Sequence, residues 1–158
     1  MDPSSVHVVC PRCSAVNRIP AERPAKEAKC GRCHRPIFDG KPVPATAETF
    51  ERHRTRNDTP VVVDFWAPWC GPCLAMAPAY ERAAAELEPE FRLLKVNTEE
   101  EPALAERYAI RSIPTMMLFA KGSPIAQTAG AMNTAAIVNW VRGQAPQEHR
   151  PSAASASG

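Results

Sequence analysis

Six cysteines fall into three C-x-x-C pairs, Cys10/Cys13, Cys30/Cys33 and Cys70/Cys73, and none stands outside a pair. Thiols at this spacing can close a local disulfide, bind a metal as thiolates, or exchange electrons with another disulfide. The first two pairs, Cys10-Pro-Arg-Cys13 and Cys30-Gly-Arg-Cys33, lie sixteen residues apart, within the spacing of a four-cysteine zinc ribbon. Each pair can curl into a knuckle that presents two sulfurs, and two knuckles complete a tetrahedron. Gly31 is expected to permit the sharp turn of the second knuckle. Four thiolates around Zn²⁺ leave net negative charge, which Arg12, Lys29, Arg32 and Arg35 are near enough in sequence to offset. The expected cofactor is one Zn²⁺ per chain, held by Cys10, Cys13, Cys30 and Cys33. Iron, and a pair of local disulfides or four free thiols, are the weaker alternatives; disulfides or free thiols would leave residues 1–40 with nothing to hold them. His34 follows a shell already filled by four sulfurs and reads as solvent-facing. Basic residues here are few and not interleaved with aromatics, so nucleic-acid binding is not expected.

The third pair, Trp69-Cys70-Gly-Pro-Cys73, differs because it sits between an apolar strand and a helix. Cys70 at the helix N-terminus would face free N–H groups and the positive end of the dipole, which stabilise a thiolate nucleophile. Cys73, one turn on and on the apolar helix face, is expected to be buried and to resolve a mixed disulfide. Asp64 interrupts an otherwise apolar strand six residues earlier. Burial would raise its pKa and let it accept the Cys73 proton. Lys95 interrupts a second apolar strand and is its expected partner. For either residue, a solvent-facing strand position is the plain structural alternative.

These residues need a frame. The chain has 158 residues, 44% hydrophobic and 23% charged, with a net charge of +2, values of a globular chain and not of a coiled coil or collagen. No apolar run approaches the roughly 18 residues that span a bilayer, so no membrane partner is expected. The N-terminus lacks a basic region followed by an apolar stretch, and a cytoplasmic location follows as the expectation. Residues 1–40 read as a metal-stapled, ribbon-like unit, residues 43–143 as an α/β domain, and residues 144–158 as a disordered tail. Within the domain, Thr46 caps a helix over Ala45–Thr55, Val61–Trp66 is a strand, and a helix follows Cys70 with a kink expected at Pro78. Phe91–Asn97 is a strand and Glu101–Tyr108 a short helix. Thr115–Ala120 and Ile125–Thr128 form a hairpin turning through Lys121–Pro124, and Asn133–Arg142 is a closing helix with Asn133 or Thr134 as its cap and Gly143 past its end. This alternation predicts a mixed central sheet covered by helices on both faces.

Val63-Asp64-Phe-Trp-Ala-Pro-Trp-Cys70-Gly-Pro-Cys73, followed by Pro78 and Ile110-Arg-Ser-Ile113-Pro114-Thr115, resembles thioredoxin. The N-terminal pairs, with Asn17-Arg-Ile-Pro and Phe38-Asp-Gly, resemble the zinc-containing thioredoxin 2 branch of that family in bacteria. The resemblance covers residues 43–143 and extends to the N-terminus. It implies a thioredoxin fold with a small four-cysteine ribbon, Cys70 as attacking and Cys73 as resolving cysteine, and Asp64 with Lys95 as the buried acid and its partner. It further implies a cis Pro114 facing the dithiol, and a substrate groove along Trp69, Ile113, Pro114 and Gly130-Ala131, where an extended peptide pairs with the backbone at Ile113. Leu74 departs from the Lys or Arg that many relatives carry after the second cysteine.

The activity so implied is reduction of protein disulfides by a monomer whose dithiol is restored by an NADPH-dependent thioredoxin reductase. Two other readings stand beside it. One is a disulfide oxidase or isomerase, against which the Gly-Pro dipeptide speaks. The other is a zinc-regulated redox sensor or chaperone-like module, in which oxidation of the first four cysteines ejects the metal.

Overall fold

The computed structural model describes residues 5–146. At the N-terminus, β1 (Val6–Val9) and β2 (Val16–Ile19) form an antiparallel hairpin. Val8 and Ile19 pack with Cys10, Cys30, Ile37 and Phe38 into a small apolar cluster. That cluster is too small to stand alone, as expected for a segment of this length without a staple.

Five strands build the second sheet: β3 (Val43–Pro44), β4 (Val61–Trp66), β5 (Arg92–Asn97), β6 (Thr115–Ala120) and β7 (Ser123–Ala129). Their order is β3-β5-β4-β6-β7, with β3, β5 and β4 parallel and β6 and β7 antiparallel, a mixed sheet as predicted. Four helices flank it: α1 (Ala47–Arg56), α2 (Gly71–Leu87), α3 (Pro102–Arg107) and α4 (Thr134–Gln144). Side chains alternate along each strand, so β4 feeds two cores. Val62 packs with Met76, Tyr80 and Leu87 of α2 and with Ile137 and Val141 of α4. Val61, Val63 and Phe65 pack on the other side with Phe50 of α1 and Leu104 of α3. Asp64 shares the parity of Val62 and therefore lies on the α2 side of the sheet.

Element ends mostly follow the local chemistry that predicted them. Thr46 Oγ1 accepts the Thr49 N–H at 3.2 Å while Thr49 Oγ1 accepts the Thr46 N–H at 2.9 Å, a reciprocal cap on α1. Asn133 Oδ1 accepts the Ala136 N–H at 2.8 Å and starts α4. Helix α2 continues through Pro78.

Two boundaries differ from expectation. The hairpin turns on Lys121-Gly122 alone, with φ of 51° and 84°, so β7 begins at Ser123 and Pro124 lies inside it. Two successive left-handed residues match the twist of the flanking strands, and a register shift between Leu118 and Phe119 accommodates the proline. Helix α4 runs through Gly143 to Gln144, and Ala145 is buried against the core, because apolar contact outweighs the glycine's preference for a helix end. The tail expected from residue 144 lies, from 147 onward, outside the described residues.

The ribbon sits on the domain through a polar seam. Asn57, just past α1, accepts the Val9 N–H on Oδ1 at 2.7 Å, and Arg52 Nε donates to the Ser14 carbonyl at 3.0 Å. Glu88 Oε1 accepts the Gly40 N–H at 2.7 Å, and the Arg92 guanidinium stacks 4.6 Å over the Phe38 ring. A salt bridge 3.2 Å long joins Arg92 to Glu88, both fully buried.

Candidate active site and metal centre

The first cysteine site is built by two knuckles of the same backbone pattern. Cys10 N–H donates to the Ala15 carbonyl and Cys30 N–H to the Arg35 carbonyl, both at 2.8 Å. Ser14 and His34, which follow the pairs, each adopt φ of 65° and return an N–H to the Cys10 or Cys30 carbonyl. The left-handed turn therefore falls on Ser14 and His34. Gly31, expected to permit the sharp turn, does not itself have positive φ; a Cβ there would meet only Asn17 Oδ1, at 3.8 Å. His34 is exposed, as predicted.

All four sulfurs lie within 4.8 Å of one another, and two cross-knuckle pairs, Cys10–Cys33 and Cys13–Cys30, stand at 3.6 Å. A tetrahedral site with metal–sulfur bonds of about 2.3 Å has sulfur–sulfur edges of about 3.8 Å, so the donor set fits a metal of that size. Backbone N–H groups of Arg12 and Arg32 point at Cys10 Sγ and Cys30 Sγ at 3.4 and 3.3 Å. These donors stabilise thiolates where the sequence suggested side-chain charge; the Arg12 guanidinium instead meets Asp39 at 3.4 Å. As free thiols the sulfurs differ. Burial pushes Cys10 up to about 12. Burial raises Cys30 too, but N–H donors from Cys33, Asn17 and Arg32 bring it down to about 6.

The second site lies at the junction of β4 and α2. Cys70 occupies the N-cap of α2 and is disulfide-bonded to Cys73, with Cα atoms 5.2 Å apart. The Cys73 N–H points at Cys70 Sγ at 3.2 Å, the helix-end donor expected from the sequence. Both cysteines are buried with Ala67, and Trp66 and Ile113 pack beside them. Cys70 Sγ also lies 3.7 Å from the Ile113 carbonyl oxygen. The Ile113–Pro114 bond is cis, and the Gly130 N–H donates to the Pro114 carbonyl at 2.9 Å. Trp69 is 68% exposed and Leu74 53% exposed, so apolar side chains flank the dithiol at the surface. Ile113 is half-buried, Pro114 buried and Gly130 exposed.

Asp64 is 1% exposed, and its Oδ1 is buried without a hydrogen-bond partner among the described residues. Burial raises its pKa to about 7, with the Lys95 ammonium opposing the rise. The two residues are directly opposite in the parallel β4–β5 register, which is what brings them together. Lys95 Nζ lies 4.4 Å over the Trp66 ring, and the two side chains share a small cleft with Asn97 and Glu100. Asp64 does not take the solvent-facing alternative, whereas Lys95 is half-buried at the cleft.

Sequence reasoning did not assign roles to Asn17, Asn57, Glu88 or Arg92, all of which support these sites. Arg92 opens a strand, and Glu88 follows a helix in a polar stretch; nothing in such positions signals burial.

Residues 41–143 match the family model described as Thioredoxin, and residues 9–35 the one described as Thioredoxin 2, N-terminal. Thioredoxin C-3 of Corynebacterium nephridii is 36% identical over 141 residues, which is 89% of this chain and 97% of that protein. Thioredoxin 1 of a Nostoc strain is 46% identical over 87 residues, 55% of this chain and 81% of that protein. Among solved structures, a mutant thioredoxin from Halobacterium salinarum superposes with a TM-score of 0.61 at 28% identity, covering 68% of this chain and 93% of that one. Chloroplastic thioredoxin z gives 0.60 at 33% identity, covering 64% and 91%. Similarity that reaches across the fold and both cysteine sites shows that this chain belongs to the thioredoxin family of thiol–disulfide oxidoreductases.

Proposed function

We propose that the protein reduces disulfides in other proteins through Cys70 and Cys73, and that Cys10, Cys13, Cys30 and Cys33 hold one Zn²⁺ per chain in a structural site. The observation that carries the redox reading is Cys70 at the N-cap of α2, receiving the Cys73 N–H, beside the exposed Trp69. In the reduced protein that position favours the Cys70 thiolate. The thiolate attacks one substrate sulfur, forming a mixed disulfide and releasing the first substrate thiol. Cys73 passes its proton to Asp64 and attacks Cys70 Sγ. This releases the second substrate thiol and closes the Cys70–Cys73 disulfide, so two electrons pass to the substrate. Lys95 keeps the Asp64 carboxylate accessible at neutral pH by opposing the effect of burial.

Trp69, Ile113, Pro114 and Gly130 form the substrate groove in this reading, with an extended peptide lying along the Ile113 backbone. An NADPH-dependent thioredoxin reductase restores the dithiol. Residues 1–40 act as the metal-stapled unit and residues 43–143 as the redox domain. The protein works as a monomer in the cytoplasm. Among the described residues, no helix is long and apolar enough to cross a membrane.

The reduction potential of the Cys70–Cys73 pair, equilibrated against thiol buffers with the metal cysteines loaded, tests the direction of the reaction. A value near about −270 mV supports a reductase, whereas about −120 to −180 mV makes the protein an oxidant or isomerase.

A further inference from the structure

The two knuckles share a backbone pattern, and within their C-x-x-C pairs they differ at one position. The first carries Pro11 after its leading cysteine, and the second carries Gly31. Pro11 has a fixed φ and no N–H, so its knuckle is rigid and leaves no donor there to satisfy. Gly31 has the widest conformational freedom of any residue and an N–H that needs an acceptor. Asn17, on β2, supplies what the second knuckle lacks. Its Oδ1 accepts the Gly31 N–H at 2.9 Å, while Nδ2 points at Cys30 Sγ at 3.4 Å and at the Ala15 carbonyl at 3.3 Å. The orientation of the amide is set by these partners: the Gly31 N–H requires the oxygen, which leaves the NH₂ group for the sulfur and the carbonyl.

We propose that Asn17 is the positioning residue of the metal centre, holding the Cys30–Cys33 knuckle in its metal-binding geometry as Pro11 holds the Cys10–Cys13 knuckle. This rests on the reading of the four cysteines as a metal site and extends it beyond the ligands. The Asn17 amide does two things. It removes the freedom of Gly31, and it adds an N–H···S contact that stabilises Cys30 as a thiolate ligand. Ala15 lies between Cys13 and Asn17 in sequence, so the same amide also ties the exit of the first knuckle to the start of the second.

The test uses the full chain loaded with Zn²⁺ and a chromophoric chelator as competitor. Asn17→Ala removes both contacts. Asn17→Asp keeps the acceptor for Gly31 and removes the donor to sulfur. Both variants are expected to hold Zn²⁺ about 10–100-fold less tightly than wild type, the usual loss for an outer-shell partner. Asn17→Ala combined with Gly31→Pro is expected to recover part of that loss, since it rebuilds in the second knuckle the restraint of the first. A second readout separates positioning from general destabilisation. Partial alkylation during slow metal release, mapped by mass spectrometry, should shift toward Cys30 and Cys33 in the Asn17 variants.

Wild-type affinity in both Asn17 variants overturns the inference. So does weakened binding with alkylation spread evenly over all four cysteines. A wild-type chain that takes up no metal overturns the metal-centre reading itself, and this inference with it.

Discussion

Arg92 Nη2 donates to the carbonyl of Val9 at 3.1 Å, one residue before Cys10, although the two residues lie 83 positions apart. The same nitrogen reaches the Ile37 carbonyl at 2.9 Å, and Nη1 meets Glu88 at 3.2 Å. With Asn57 on the Val9 N–H, both polar groups of Val9 end on side chains of the redox domain. The knuckle is thus seated on the domain as though β1 had gained a partner strand made of side chains.

Arg92→Leu should unfold the chain more easily by about 3–5 kcal/mol, because it strands Glu88 in the interior together with two carbonyls. Burial already pushes Glu88 up to about 7, with Arg92 and the Gly40 N–H opposing it, so losing Arg92 removes the cation that offsets its charge. Arg92→Leu with Glu88→Leu should recover part of the loss. Guanidinium unfolding of the three proteins checks this; a double variant less stable than Arg92→Leu would mean that the pair is not the reason.

Asp64 gives a pH-dependent stability with a definite sign. Its folded pKa, about 7, lies above the ordinary carboxylate value near 3.8. The native state therefore holds a proton that the unfolded state has lost, and stability falls as pH rises from about 4 to about 7. In the oxidised protein, Asp64→Asn should be more stable than wild type at pH 8, by an amount on the order of a few kcal/mol. The gap should close by pH 4. Unfolding curves at pH 4, 6 and 8 measure it, and a pH-independent gap would assign the effect to packing alone.

The same substitution should affect the two chemical steps unequally. Asp64→Asn is expected to slow the attack of Cys73 on the mixed disulfide by about 100-fold, the lower range for loss of a proton acceptor. The first attack by Cys70 should change little. Rapid mixing of the reduced variant with a chromogenic disulfide, followed by trapping of the mixed disulfide, resolves the steps. Equal slowing of both would remove Asp64 from the resolving step.

Cys10→Ser with Cys13→Ser should abolish metal uptake and keep disulfide reduction, because the Cys70–Cys73 site shares no ligand with the metal centre. Stability should still drop, since a metal that binds only the folded state stabilises it by mass action. Metal content, unfolding midpoint and turnover on a protein disulfide form the check. Loss of turnover in a chain that stays folded would tie the metal directly to the redox chemistry.

Much of the site was legible because its chemistry is local in sequence. C-x-x-C spacing alone puts two sulfurs on one turn, and Cys70 before a helix meets free N–H groups whatever surrounds it. Thr46 announced its helix as a cap, Asn133 or Thr134 the last one, with Asn133 taking the role, and the β-branched run Val61–Val63 announced β4. Asp64 and Lys95 were each visible as a charge interrupting an apolar strand and were expected as partners, while the parallel register that sets them opposite each other came from the fold. The hairpin turn was misplaced by two residues because Pro124 reads as a strand breaker; a register shift between Leu118 and Phe119 of β6 absorbs it.

By itself, the sequence determined that two pairs of cysteines suit a metal and that a third, beside an apolar strand and a helix start, suits electron exchange. It did so because thiol reactivity follows from spacing and from the first turn of a helix. Only the tertiary structure decided that Gly31 leans on Asn17, that Ser14 and His34 carry the left-handed turns, and that Arg92 and Glu88 leave water to join ribbon to domain. Those outcomes depend on which backbone groups meet across distant parts of the chain. A polar side chain gains from burial only where such partners await it.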